Sequence, residues 1–230
     1  MIVEPDFAVA KFIGAQIERL QILKGAMDGA DFSGAKLSKT NVIQTSLKET
    51  VWDGADLEAM PFMDLPLTRA RFRGARLFRC VFLQVQAPEC DFEGADITRT
   101  GFLGDVDLAG ARFVAATGVD STFNSVKLAG ANFEKGVFDR GTFLKSDLTA
   151  ANFRRTSLKS ALFGGAKLAG ADFVGANLLT AQLRRADLSG ARLVGANLYG
   201  ADLDNTTLVA ADLTAVNLNR TILAVDTNAG

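Results

Sequence analysis

Apolar residues recur at every fifth position along almost the whole chain, from Phe7 to Leu223. The stretch 166–178 shows the unit: a small residue and a polar residue precede a central Leu or Phe, and glycine often follows two positions later. A period of five fits neither the 3.6-residue repeat of a helix nor the two-residue alternation of a strand. Short units repeated in this way indicate a solenoid, in which each unit buries its apolar side chain against its neighbours.

A second period of twenty residues is superimposed on the first. When the central residues are grouped by every fourth unit, two groups are mainly aliphatic and two are mainly aromatic. We number the four sides in chain order by their first centres, Phe7, Phe12, Ile17 and Ile22. The aromatic groups include Phe12, Phe32, Trp52, Phe72 and Phe92 on the second side, and Phe62, Phe82, Phe102 and Phe123 on the fourth. The pattern predicts coils with four sides that stack about 4.8 Å apart, and about eleven such coils for the whole chain.

Charged residues before the central positions provide an independent test of this stacking. The sign alternates at steps of twenty along the series Asp107, Lys127, Asp147, Lys167 and Asp187. Opposite charges on neighbouring strands attract by roughly 0.2–1 kcal/mol per pair, and like charges oppose slippage. The charges therefore predict the same coil register as the aromatic residues.

These repeats resemble the pentapeptide-repeat family, and the resemblance spans nearly the entire chain. It implies an all-β fold, a right-handed quadrilateral β-helix with tight turns at the corners. We interpret residues 1–230 as a single solenoid domain with repeats from about 5 to 225. Ile2 and Val3 are expected to fold over the first coil as a cap.

The repeat is irregular between residues 85 and 120. One extra residue lies between Phe102 and Leu108, so the pattern resumes one position late and a slip is predicted near 103–107. In the same region Ala87 and Gly118 occupy central positions where Leu or Phe is expected. We interpret the region as a bulge that bends or loosens the rod, because extra residues do this in strands.

The composition argues against catalysis. The chain has no histidine, two cysteines and a formal charge of −1, so the commonest general base and metal ligand is missing. Cys80 and Cys90 fall at the small inward position of the repeat, which predicts buried, reduced thiols and a cytoplasmic location. We therefore predict no catalytic residues, no cofactor and no metal site. No apolar run approaches the roughly 18 residues of a membrane helix, and no secretory signal is expected.

A cluster of arginines invites a nucleic-acid interpretation. Five arginines lie within the segment 69–79, which by itself is typical of a phosphate-binding patch. Acids lie twenty residues away on either side, however: Glu49 and Glu89 for Arg69, Asp53 and Glu93 for Arg73, Asp56 and Asp96 for Arg76, and Asp91 for Arg71. We predict a self-neutralised ladder and no nucleic-acid partner.

Apolar residues outside the core give the candidate partner interface. The position after the centre on the fourth side is apolar in five consecutive coils, namely at Leu23, Ile43, Met63, Leu83 and Leu103, with Val81 beside them. We call these five residues the apolar strip. An exposed apolar patch of this kind usually marks an interface. A second candidate is an end-to-end contact of the last coil through Val209, Val216, Ile222 and Val225.

The sequence therefore predicts a protein-interaction scaffold without enzymatic activity. Its partner would be another protein, or a second copy bound through the apolar strip or the last coil. Some members of the family protect topoisomerases from quinolones and are thought to imitate DNA with an acidic rod; this is an alternative, although no side of the predicted coil is strongly acidic. A further alternative is a repeat module of a larger bacterial secretion-associated protein.

Overall fold

The computed structural model describes residues 1–223, and within this range the chain is a parallel β-solenoid. Backbone bridges join residues twenty apart along the chain, from Asp6 and Ala26 at one end to Asn197 and Asn217 at the other. The pentapeptide β-helix predicted from the repeat is therefore confirmed, with four units per coil. No helix among the described residues is long and apolar enough to cross a membrane.

The named strands are very short because the chain turns a corner in every unit. The eight strands are β1 (Ile2–Val3), β2 (Gln16–Glu18), β3 (Gln21–Leu23), β4 (Lys36–Ser38), β5 (Asn41–Ile43), β6 (Pro61–Met63), β7 (Val81–Leu83) and β8 (Gly101–Leu103). One parallel sheet has the order β1-β3-β5-β6-β7-β8, and a second consists of β2 and β4. The larger sheet covers six levels of the fourth side, and single-residue bridges connect the remaining levels.

Each corner depends on one residue in the left-handed region, two positions after the centre. Its φ ranges from 49° at Gln44 to 78° at Gly104. Glycine adopts this conformation without steric penalty, which explains its frequency there. Glu4 has the same conformation, with φ of 53°, so Ile2 acts as the centre of an additional unit. The prediction of a cap is wrong: Ile2 and Val3 pair with Ile22 and Leu23 and extend the sheet by one strand.

Two stacks of aromatic rings occupy one part of the core, between Phe12 and Phe173. On the second side Phe92 stacks on Phe113 with centroids 4.8 Å apart and planes 1° from parallel. On the fourth side Phe82 stacks on Phe102 at 4.8 Å. The two stacks meet edge to face, as Phe82 and Phe92 do at 6.1 Å and 84°. Offset stacking and edge-to-face contacts are both favourable for aromatic quadrupoles, so coil stacking and lateral packing support each other.

The extra residue of the slip is absorbed at one corner. Before it, bridges join residues twenty apart, and across it they join residues such as Gln86 and Asp107, twenty-one apart. The chain leaves β8 at Leu103, and the amide of Val106 donates to the carbonyl of Gly104 at 3.0 Å. Asp105 lies in the resulting bulge and pairs with Lys127 at 2.8 Å. The predicted slip near 103–107 is therefore present, and regular coils continue on both sides of it.

Gly118 is a packing partner and not a defective centre. A Cβ atom at Gly118 would lie 2.5 Å from Cε1 of Phe138, which is the centre one coil further on. A Cβ at Gly136 would lie 2.5 Å from the opposite edge of the same ring. Phe138 is the only Phe among the described centres of this side, where leucine predominates, and the two glycines provide the room for its ring.

Polar atoms at the small inward positions are bonded to the neighbouring coil. Thr100, Thr156 and Thr206 each donate a hydroxyl to the carbonyl of the residue twenty-three positions earlier. The thiol of Cys80 likewise donates to the carbonyl of Leu57 at 2.7 Å, and the thiol of Cys90 donates to the carbonyl of Leu67 at 2.9 Å. Burial raises the pKa of Cys80 to about 12, and it raises that of Cys90 as well. Neither thiol is suited to act as a nucleophile, because the thiolate is the reactive form.

We expect Gly118→Ala to lower the free energy of unfolding by about 1–3 kcal/mol, since the new methyl group would overlap the Phe138 ring. Urea unfolding measures the change. The control is Gly164→Ala, whose Cβ would meet only the flexible end of Leu144, at 3.3 Å. Phe138→Leu in the Gly118→Ala background should recover much of the loss. Equal destabilisation by Gly118→Ala and Gly164→Ala would contradict this account of the packing.

We expect both thiols of the native protein to be unreactive toward a disulfide reagent at pH 8. A rise of the Cys80 pKa from 9.0 to about 12 lowers its thiolate fraction about a thousandfold. A Thr214→Cys variant supplies an exposed control thiol. The folded-state pKa of Cys80 lies above the unfolded value of 9.0. The stability that the buried neutral thiol contributes is therefore present below about pH 9 and is lost as the pH rises toward 12. Rapid labelling of two thiols without denaturant would disprove the prediction.

Candidate interaction surface

The apolar strip lies on the one extensive regular sheet. Its five residues are the last residues of β3, β5, β6, β7 and β8. The parallel register pairs Leu23 with Ile43, Met63 with Leu83, and Leu83 with Leu103. Because alternate residues of a strand point to opposite faces, the strip lies on the outer face, while the preceding residue of each strand is in the core.

The strip is partly open to solvent and is continued by one residue that the sequence analysis missed. Leu103 is 40 % exposed, and the other four residues are half-buried. Val3 pairs with Leu23 and is 50 % exposed, so it adds a sixth level. The twenty-residue period in the sequence could have identified Val3, because it lies twenty residues before Leu23.

The continuous row of apolar residues ends at the slip. Beyond the slip, the same position carries Asn124, Leu144, Gly164 and Arg184, so only one large apolar residue continues the row. Pro61, Val81 and Gly101 are paired with one another beside the strip, and they add no charge. The strip is thus a limited apolar surface on the N-terminal half of the rod.

The residues of the predicted end-to-end contact do not share one side of the coil. Val209 is 69 % exposed and follows a centre on the first side, whereas Ile222 is 68 % exposed and precedes a centre on the fourth. Val216 is partly buried and packs against the core. Val225 lies outside the described residues. Val209 and Ile222 are therefore the exposed members of this candidate.

Four arginines of the segment 69–79 form ion pairs with acids in adjoining coils. The pairs are Arg69 with Glu49, Arg71 with Asp53, Arg73 with Asp91, and Arg76 with Asp56 and Glu58. The hydrogen bonds that their guanidinium groups donate to these carboxylates raise the pKa of Arg69, Arg73 and Arg76. The pairing supports the prediction of a self-neutralised ladder.

The two middle arginines form their ion pairs diagonally. Arg71 lies opposite Asp91 in the backbone register, as predicted, but its guanidinium pairs with Asp53. Arg73 reaches Asp91 at 2.7 Å, and Asp91 also lies 3.6 Å from Nε of Arg112. Arginine is long enough to reach the diagonal neighbour, so a step of eighteen residues replaces the step of twenty.

An outward-facing aromatic residue on the third side is a feature that the sequence analysis missed. The guanidinium carbons of Arg76, Arg79 and Arg99 lie 5.8, 5.0 and 6.0 Å from the centre of the Phe78 ring. These distances allow cation–π attraction. Arg79 and Arg99 each lie two positions after a centre, so the five-residue period places them at corners beside this ring. The contacts give Arg79 a neighbour within the protein.

Comparison with known proteins agrees with the coil geometry. A family model described as a pentapeptide repeat region matches residues 116–193, and one described as pentapeptide repeats matches 27–59, 67–102 and 181–220. Among solved structures, HetL, a pentapeptide repeat protein involved in heterocyst differentiation regulation in the cyanobacterium Nostoc, is 24 % identical. The match covers 94 % of this chain and 90 % of HetL, with a TM-score of 0.61.

QnrB1, a plasmid-mediated fluoroquinolone resistance protein, is 19 % identical over 96 % of this chain and 92 % of QnrB1, with a TM-score of 0.43. No curated protein sequence matches this chain significantly. The similarity to HetL concerns the fold alone, since the identity is low. The two family models together cover more than half of the 230 residues, and with the observed coil register they establish that the chain belongs to the pentapeptide-repeat family.

Proposed function

We propose that this protein is a scaffold without enzymatic activity that binds another protein through the apolar strip. The observation that carries the proposal is the row of large apolar side chains in register on successive strands of one sheet. Six levels at about 4.8 Å give a surface about 25 Å long. Large exposed apolar patches are uncommon on monomers and usually mark interaction sites.

The rigidity of the rod favours this use. The strip residues are anchored by centres that are almost completely buried, such as Phe62, Phe82 and Phe102, and each strand is paired on both sides except at the ends of the sheet. A surface that is already ordered loses little conformational entropy on binding. A modest apolar area can therefore provide measurable affinity, with the surrounding polar residues forming the rim of the interface.

A second copy of the chain is a further candidate partner. It would use either the strip or the exposed residues Val209 and Ile222 of the last described coil. A role as a repeat module of a larger secretion-associated protein is compatible with the same surface, because the strip would then contact the rest of that protein. In each case the function consists of presenting a rigid surface.

The test is a pull-down from lysate with the native chain, a Met63→Glu/Leu83→Glu variant and a Leu144→Glu control, read by mass spectrometry. Leu144 occupies the corresponding position on the same side outside the strip and is also half-buried, so its substitution controls for added charge. We expect one specific protein to be captured by the native and control chains and lost from the strip variant, because buried unpaired carboxylates strongly weaken an interface.

Sedimentation of the three purified chains distinguishes a second copy from a different partner. If the strip joins two copies, only the Met63→Glu/Leu83→Glu variant should change from dimer to monomer. Identical captured proteins and identical oligomeric states for all three chains would rule out the strip. Capture of a topoisomerase by all three would instead support the DNA-mimic alternative.

A further inference from the structure

An apolar cavity of about 200 Å³ lies inside the first three coils. Its walls include Phe12, Ile17, Ile22, Leu37, Val42 and Trp52. The one hydroxyl-bearing residue in the lining is Thr40, whose Oγ1 donates to the carbonyl of Ser38 at 3.2 Å. The interior therefore offers no unpaired polar group to a ligand or to water.

The cavity exists because two aromatic rings are missing from the fourth side. From Phe62 to Phe163 this side carries Phe at every centre, and Phe62 meets Trp52 edge to face at 6.2 Å and 90°. In the first two coils the equivalent centres are Ile22 and Val42. The opposite stack continues unchanged, with Phe32 4.7 Å from Phe12 and 4.2 Å from Trp52. The stack of rings thus faces smaller aliphatic side chains across an incompletely filled space.

The cavity is accessible through the first coil. Phe7, Phe12 and Ile17 are central residues, but they are only partly buried, whereas the centres of the middle coils are almost completely buried. Ile2 lines the opening and is 38 % exposed. A small molecule can therefore enter along the axis of the solenoid without separating two coils.

We propose that this cavity binds a compact apolar ring compound, between benzene and indole in size. An enclosed apolar cavity of about 150 Å³ remains free of water and accepts benzene in other proteins. The rings of Phe12, Phe32 and Trp52 stack on one another and present their edges to the cavity, so the face of a ring compound can meet them edge to face, as Phe62 meets Trp52. A charged or strongly hydrogen-bonding ligand is excluded because its polar groups would lose water without compensation.

The chain provides its own reporter for this site. Trp52 is the single tryptophan, it is fully buried, and it lines the cavity. Titration with iodobenzene should quench its fluorescence with saturation, because the iodine atom would be held next to the indole. Aqueous iodide should quench it weakly. The melting temperature should rise with iodobenzene concentration, as it does for any ligand that binds the folded state alone.

The decisive variant is Val42→Phe, which places at this level the residue that the same side has at Phe62 and Phe82. The new ring should fill the cavity and weaken iodobenzene binding by about tenfold or more. Ile22→Phe is the second variant if Val42→Phe fails to fold. The matched control, Ile13→Phe, adds a similar ring at an exposed position of the first coil and should leave binding unchanged.

Two outcomes would overturn the proposal. One is quenching that rises linearly with iodobenzene and is equal in the native and Val42→Phe chains. The other is the absence of any iodobenzene-dependent rise in melting temperature. Saturable quenching that Val42→Phe abolishes and Ile13→Phe preserves would support it. This result is independent of the apolar strip, since Ile22 and Val42 lie on the inner face of their strands.

Discussion

The backbone hydrogen bond between successive coils is the interaction on which this structure depends. The amide of each described centre up to Leu198, with few exceptions, donates to a carbonyl of the following coil, as Phe72 does to Asp91 at 2.6 Å and Phe113 does to Asn132 at 2.6 Å. These bonds fix the register at twenty residues. A residue and its equivalent in the next coil are therefore always neighbours, and every row of side chains is a ladder.

This constraint makes the effect of each residue type cumulative. Phe at equivalent centres gives two continuous ring stacks, and Asn at equivalent outer positions gives an amide chain in which Asn197 donates to Asn177 and Asn217 donates to Asn197. Like charges in one row would repel at every step. This explains why acids and bases alternate along the row Asp107, Lys127, Asp147, Lys167 and Asp187, and why arginines reach across to carboxylates of adjoining coils.

The sequence was sufficient to predict the fold because the two periods are visible without knowing the structure. The spacing of twenty predicted that Asp56 pairs with Lys36 and Arg76. In the structure a carboxylate oxygen of Asp56 lies 3.9 Å from Nζ of Lys36, and the other lies 3.0 Å from a guanidinium nitrogen of Arg76. It did not predict the diagonal choice of Arg71 and Arg73, because that depends on side-chain rotamers. Nor did it predict the fit of Phe138 against Gly118. The period shows that both residues depart from the leucine expected at these centres, but it does not show that the larger side chain of one occupies the space left by the other.

The two candidate sites are likewise consequences of one short stretch of the sheet. In β3 and β5 the central residues Ile22 and Val42 line the cavity, and the next residues, Leu23 and Ile43, belong to the apolar strip. Successive residues of a strand point to opposite faces, so the two surfaces are separated by the thickness of one sheet. The replacement of Phe by Ile22 and Val42 inside is confined to β3 and β5, whereas the apolar strip outside continues over Phe62, Phe82 and Phe102 as far as Leu103. In β3 and β5 both the inner and the outer residue depart from the regular pattern, and in β6, β7 and β8 only the outer residue does. The inner and the outer positions of one strand can therefore vary independently, because they face different surroundings.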